Sequence, residues 1–205
     1  MCWIRQPPKY YEGKVQYKYL GTLGTGTYAA VYKVERLQEG GPFAIKTMPL
    51  EHATIFQAEV GTLQRFPHTN IIAYVSHFRY KDVLHMVLEL ASYSLHDAII
   101  NRRIDKTTFL ECTAMMAAGV AHLHRNKLLY GDIKPQNILI TEQNVVKLAD
   151  LGEVRHMVKP LDRAVGSESH QAPEVTMEGK YGLPTDIYSF GRTLEDMVIN
   201  TLMEK

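Results

Sequence analysis

A net charge of +1 on 205 residues, 45% of them hydrophobic and 22% charged, fits an ordinary globular chain long enough for one domain or a two-lobed one. The charge balance offers no basic field for nucleic acid and no acidic solvating tail. Cys2 and Cys112 form neither a metal pattern nor a secreted disulfide framework, no apolar run reaches membrane-spanning length, and the first residues lack a signal-peptide core and the glycine that N-myristoylation needs.

Met1–Lys14 holds Pro7-Pro8 among mixed polar residues and is expected to be a loose tail. Tyr17–Leu23 alternates, Gly24-Thr25-Gly26-Thr27-Tyr28-Ala29-Ala30 interrupts, and alternation resumes through Val34. This pattern predicts strand, glycine turn, strand. Glycines let a backbone approach phosphate closely and offer it amide donors, although such turns are common without a ligand. A dinucleotide-binding fold would need a helix after the glycines. Here Val31–Arg36 is β-branched and aromatic, and Ala29 holds the third glycine position, so that fold is excluded.

Phe43-Ala44-Ile45-Lys46 reads as a short apolar strand ending in a lysine. Phe56, Val60 and Leu63 then mark the buried face of a helix, and Glu59 lies on the same face. An inward carboxylate is costly without a partner, and Lys46 is the candidate. Phe66–Asn70 reads as a turn, Ile71–His77 and Val83–Leu90 as strands, and Glu89-Leu90-Ala91-Ser92 as the start of a polar segment. Thr108–Arg125 keeps a helical period through Phe109, Cys112, Met116, Val120 and Leu123. His122 and His124 are two apart and do not share a helix face, which argues against a metal site there.

Leu129–Asn137 then places a carboxylate (Asp132), an ammonium (Lys134) and an amide (Asn137) within six positions. Pro135 forbids a continuing helix and biases Lys134 toward extended geometry. Such a loop can accept a proton, neutralise phosphate charge and offer an oxygen to a cation, a set suited to phosphoryl transfer. The alternative is a plain surface turn. Ile138–Ile140 and Val145–Leu148 read as a hairpin, and Asp150-Leu151-Gly152 as either a turn or a metal carboxylate at a strand end. Glu153–Ser169 reads as an irregular, mobile loop. Ala172-Pro173-Glu174 opens a short helix, and Thr185–Val198 is an apolar helix with Asp186 near its start.

Taken in this order, the features resemble a eukaryotic protein kinase catalytic domain of the Ser/Thr type. Gly24–Val31 resembles the Gly-rich loop over ATP, so nucleotide contacts are implied for Gly24, Thr25, Gly26, Thr27 and Val31. Ala44-Ile45-Lys46 resembles the strand that carries the phosphate-binding lysine, and Glu59 the helix glutamate that pairs with it. Leu88, Glu89 and Ala91 stand at the gatekeeper and adenine hinge, and Ala44 and Leu139 join the implied nucleotide site. Asp132, Lys134 and Asn137 match the catalytic loop, and Asp150 the magnesium-binding aspartate, so Asn137 and Asp150 are the implied metal ligands. Ala172-Pro173-Glu174 matches the end of the activation segment, and Asp186 the aspartate that anchors the catalytic loop.

The resemblance implies an α+β, two-lobed fold: a tail at 1–14 and a kinase domain at 15–205, with a β-rich N-lobe at 15–91 and a mainly helical, C-terminally incomplete C-lobe at 92–205. It implies ATP-dependent phosphorylation of Ser/Thr hydroxyls on protein substrates, with ATP and Mg²⁺, in the cytoplasm or nucleus, without nucleic-acid or membrane partners. The alternative is a nucleotide-binding pseudokinase or scaffold. Two departures stand out. Tyr130-Gly131 replaces the usual His-Arg, which removes the arginine that pairs with a phosphorylated activation loop, where Ser167 lies. The later C-lobe helices, with the arginine for Glu174, are not matched, so part of the Thr185–Val198 helix is expected to face water or a regulatory protein partner.

Overall fold

The computed structural model describes residues 10–12, 15–26, 28–38, 40–157, 168–178 and 181–202. The expected contributions of Thr27 and Ser167 lie outside these residues. The chain divides into two compact units: one runs to Gln64 and adds Ala73–Leu90, and the other comprises Arg65–Ile72 and Ala91 onward.

The first unit is an antiparallel sheet with one helix. Its strands are β1 (Tyr10–Glu12), β2 (Val15–Thr25), β3 (Ala30–Arg36), β4 (Pro42–Pro49), β5 (Tyr74–Tyr80) and β6 (Val83–Glu89), in the order β1-β2-β3-β4-β6-β5. The expected loose tail is corrected at its end, where Tyr10–Glu12 pairs with Val15–Tyr17. Tyr17, Tyr32, Val34, Ile45 and Val87 form the core, which is why alternation was visible in β2 and β3. β4 and β6 are central strands buried on both faces and read as continuous apolar runs. The buried His85 of β6 stacks on Phe78 at 4.7 Å, and burial pushes its imidazole down to about 4. Helix α1 (Ala53–Arg65) buries Phe56, Glu59, Val60 and Leu63, the face its spacing predicted.

In the second unit, Tyr93–Ser94 forms β7 and Leu95–Ile100 forms α2, where only a polar segment was expected. A capping box starts α2: the Ser94 hydroxyl accepts from Asp97 N (3.0 Å), and Asp97 Oδ2 accepts from Ser94 N (2.9 Å). α3 (Lys106–Arg125) buries Cys112, Met116, Gly119, Val120 and Leu123. β8 (Leu128–Leu129), β9 (Ile138–Ile140) and β10 (Val146–Leu148) follow. β11 (Arg155–His156) pairs antiparallel with β8, so the expected irregular loop is corrected at its start. α4 (Pro173–Glu178) and α5 (Leu183–Leu202) are the two expected helices. On α5, Met197 is fully buried while Ile187, Tyr188 and Ile199 are exposed.

Arg65–Ile72 belongs to the second unit rather than to the expected 15–91 lobe, because its backbone is bonded there. Asn70 Nδ2 donates to Val146 O (2.9 Å), Leu148 N donates to Asn70 O (2.9 Å), and Ile72 N donates to Leu148 O (2.9 Å). Gly119 of α3 makes this approach possible, since a Cβ there would stand 2.9 Å from both Asn70 O and Leu148 Cδ1. His68 of this turn stacks on His122 at 4.7 Å. Its pKa is lowered by burial first, then by the charges of His122, Arg125 and Lys147. Ala91 also falls in the second unit.

Candidate active site

The first unit builds its cluster around one cross-strand row. In register, Gly24 of β2 faces Val31 of β3, Val31 faces Lys46 of β4, and Lys46 faces Met86 of β6. Lys46 is therefore interior to the sheet and buried, not an edge lysine with its head in water. Its ammonium donates to both carboxylate oxygens of Glu59, at 2.8 and 2.7 Å. The partner argued from helical spacing is the one found. Side-chain exposures of 9% for Lys46 and 1% for Glu59 make this a buried pair.

Ala44, one turn of the pleat from Lys46, faces Leu88, and both are buried. Glu89 is tied to Ala73 twice: its N donates to Ala73 O (3.0 Å), and its Oε1 accepts from Ala73 N (2.6 Å). Gly24, Thr25 and Gly26 are exposed, and Gly26 N donates to Ala29 O (2.8 Å), which closes the turn. An exposed, glycine-rich backbone over an internal lysine can offer amides and one positive charge to an anionic ligand.

The second unit builds its cluster on the loop after β8. Lys134 is extended (φ −161°, ψ 159°), as the following proline demands, and Pro135–Asn137 makes a single 3₁₀ turn closed by Asn137 N on Lys134 O (3.0 Å). This fold of the loop gathers the three polar heads. Lys134 Nζ lies 2.7 Å from Asp132 Oδ2. Asn137 Nδ2 donates to Asp132 Oδ2 (2.7 Å) and to Asp132 O (3.0 Å). With both amide hydrogens so used, Asn137 presents its Oδ1 as the acceptor.

Asp150 follows β10 and is exposed, with a left-handed backbone (φ 52°, ψ 66°). The residue before it is bonded back to the loop, with Ala149 N donating to Asn137 O (2.9 Å). Ala91 and Leu139 are both half-buried, Leu139 facing Ser94 and Lys147 across β9. Among the described residues no group of three or more His, Cys, Asp or Glu side chains could hold a metal ion. The donors that do fit a hard cation are oxygens, Asn137 Oδ1 and the Asp150 carboxylate. Mg²⁺ accepts one or two protein oxygens when phosphates and waters complete its shell.

Two residues that bear on this loop, His124 and Tyr130, escaped the sequence reading in those roles. Asp186 of α5 is buried and accepts from Tyr130 N (2.8 Å) and Gly131 N (2.8 Å), and His124 Nε2 lies 2.8 Å from the same carboxylate. Asp186 was expected as an anchor, but His124 was weighed only as a metal ligand. The Tyr130 hydroxyl donates to Ala149 O. Arg155 Nη1 donates to Gly152 O (2.9 Å) and Val154 O (2.9 Å), and its Nη2 to Glu153 Oε2 (3.1 Å). Local spacing signals neither His124 nor Tyr130 in these roles, because their partners are set by the path of the chain, whereas Arg155 bonds within its own turn.

The family model for the protein kinase domain matches residues 17–204. The MAPK/MAK/MRK overlapping kinases of Mus musculus and Homo sapiens are each 30% identical over 187 residues, which is 85% of this chain and 44% of theirs. Serine/threonine-protein kinase 1 of Arabidopsis thaliana is 28% identical over 192 residues, 89% of this chain and 23% of its own. The chain thus spans less than half the length of these relatives. No described helix is long and apolar enough to cross a membrane.

Proposed function

This chain belongs to the protein kinase family, and from that premise we propose that it phosphorylates serine or threonine hydroxyls of proteins with ATP. One observation carries the reading: Asp132 is gripped by both Lys134 and Asn137 on a single carboxylate oxygen, at 2.7 Å each. A carboxylate so fixed can orient a substrate hydroxyl and take its proton. The hydroxyl oxygen forms a bond to the γ-phosphorus, the bond to the β–γ bridging oxygen breaks, and ADP leaves. Lys134 and Lys46 would balance phosphate charge, with Lys46 aimed by Glu59. Gly24, Thr25, Gly26, Val31, Ala44, Leu88, Glu89, Ala91 and Leu139 would receive the nucleotide. Asn137 and Asp150 would hold Mg²⁺, which when bound neutralises phosphate charge. Ser/Thr choice rests on the lysine two residues after Asp132, the pattern of that class, and on relatives named as Ser/Thr kinases.

The second reading is a nucleotide-binding scaffold with little catalysis, favoured by the apolar side chains Ile187, Tyr188 and Ile199 that α5 leaves exposed and that a protein partner would cover. Asp132→Asn separates the two. The enzyme reading expects loss of transfer to a generic Ser/Thr protein by 10²–10⁴-fold, the usual worth of a general base, while ATP still raises the melting temperature. A wild-type chain that binds ATP·Mg²⁺ and transfers nothing favours the scaffold.

A further inference from the structure

We propose that His68, Arg125 and Lys147 form a binding site for a phosphate monoester, with His122 as the ring on which His68 is stacked. All four lie in the second unit, and none is among the residues assigned to nucleotide, metal or catalysis. Three elements converge there. A Cβ on Gly119 would stand 2.9 Å from both Asn70 O and Leu148 Cδ1, so α3, the Arg65–Ile72 segment and β10 meet at Asn70. Three and six residues further along α3 come His122 and Arg125, neighbours on the helix surface. Lys147 lies between Val146, whose O accepts from Asn70 Nδ2, and Leu148, whose N donates to Asn70 O. Val146 and Leu148 are fully buried, so strand alternation turns the half-buried Lys147 the other way.

The His68 ring is aimed before any ligand arrives. Its Nδ1 accepts from Asn70 N (3.0 Å), so the neutral ring carries its proton on Nε2 and offers a donor there. The ring stacks on His122 at 4.7 Å and 26°. Among the described residues no carboxylate pairs with His68, His122 or Arg125. After burial, the causes that hold the His68 pKa low are the charges of His122, Arg125 and Lys147, all positive. Arg125 commits only Nε to the backbone, on Ala121 O (3.2 Å). A phosphate monoester brings about two negative charges and three acceptor oxygens, so imidazole, guanidinium and ammonium can each take a different oxygen. A carboxylate has one charge and two oxygens, and leaves one donor unmet. The basic residues in the last turn of α3 also complement the helix C-terminus, but that accounts for neither His68 nor Lys147, which come from other elements.

The test follows the His68 imidazole by NMR in the full chain, with its signal assigned through His68→Gln. The ring is titrated with acid in inorganic phosphate and in chloride at equal ionic strength. The His68 midpoint is expected to move up in phosphate and not in chloride, because the bound anion offsets the three positive charges. The phosphate concentration at half-shift should rise about tenfold in Arg125→Gln, the worth of one charge-assisted hydrogen bond, and further in Arg125→Gln, Lys147→Gln. A phosphoserine peptide and its unphosphorylated twin are the second arm. A shift with the phosphopeptide at lower concentration than inorganic phosphate supports the site and makes a modified protein segment its ligand. Equal or weaker action of the phosphopeptide supports the site with free phosphate as the ligand. The same midpoint in both salts overturns the proposal. So does a shift that survives in the double variant, or one that the unphosphorylated peptide gives equally. Should the double variant fail to fold, Arg125→Gln alone, at an exposed position, carries the comparison.

Discussion

The candidate site includes one lysine–carboxylate pair in each unit, and the two pairs are built for different duties. Lys46–Glu59 joins a central strand to a helix, with side chains exposed by only 9% and 1%. Lys134–Asp132 lies within one loop, with exposures of 22% and 11%. The first pair has traded water for a partner, so each charge depends on the other. The second keeps solvent at hand and takes its geometry from a short turn, Asn137 and the backbone bonds to Asp186. Removing a partner should therefore unfold one unit and merely disarm the other.

The largest effect expected is at the first pair. Lys46→Met strands a carboxylate in the apolar face shared with Phe56, Val60 and Leu63, at a cost of about 3–5 kcal/mol. That is a large share of the roughly 5–15 kcal/mol that holds a domain. The double variant Lys46→Met, Glu59→Leu should recover most of the loss while leaving nucleotide binding impaired. Denaturant unfolding of the single and double variants measures both. A single variant as stable as wild type would break the contrast between the pairs.

Acid sharpens the contrast within the first unit. His85 is buried neutral, its folded value near 4 against about 6.5 unfolded. The unfolded chain then binds the extra proton between these values, so stability is present above about pH 6.5 and is lost as pH falls toward 4. The loss attributable to His85 is roughly 3 kcal/mol at most. His85→Phe keeps the stack on Phe78 and should flatten the stability curve across that window, while unfolding of the second unit keeps its wild-type pH dependence.

Next in size is Gly119→Ala. The added methyl would stand 2.9 Å from Asn70 O and from Leu148 Cδ1. The helix must shift or release the turn, for about 1–3 kcal/mol of overpacking. Hydrogen exchange should quicken at Ile72 and Leu148, whose amides depend on that turn. Exchange unchanged at both amides would show that α3 absorbs the methyl without loosening the turn.

These residues show what a sequence discloses. Glu59 was legible because three apolar neighbours at helical spacing turned a carboxylate inward, and an inward carboxylate needs a cation. Asp132, Lys134 and Asn137 were legible because a proline confined them to one short loop. The strand pair β8–β11 was not, since Leu128–Leu129 and Arg155–His156 are two residues each, too short for any period. Helix α2 was missed although Ser94 and Asp97 spell its capping box, because its six residues fall below the length at which periodicity persuades. Nor was the Tyr130 bond legible: that its hydroxyl reaches a carbonyl nineteen positions away depends on the whole path of the second unit.

The smallest effect on stability, and the sharpest test of the contrast, is Asp132→Asn. This side chain is one member of a partly solvated pair, and such pairs contribute about 0–1 kcal/mol. Asparagine keeps the shape and can still accept from Asn137 Nδ2 through its own oxygen. It loses the charge that faces Lys134 and the capacity to take a proton. Unfolding should therefore shift by less than about 1 kcal/mol, while phosphate transfer falls away. The comparison with Lys46→Met is direct: one substitution would cost mainly fold and the other mainly chemistry. An Asp132→Asn chain that unfolds as readily as Lys46→Met would mean that the loop is held by the Asp132 charge itself, and that the backbone bonds to Asp186 do not suffice to fix it.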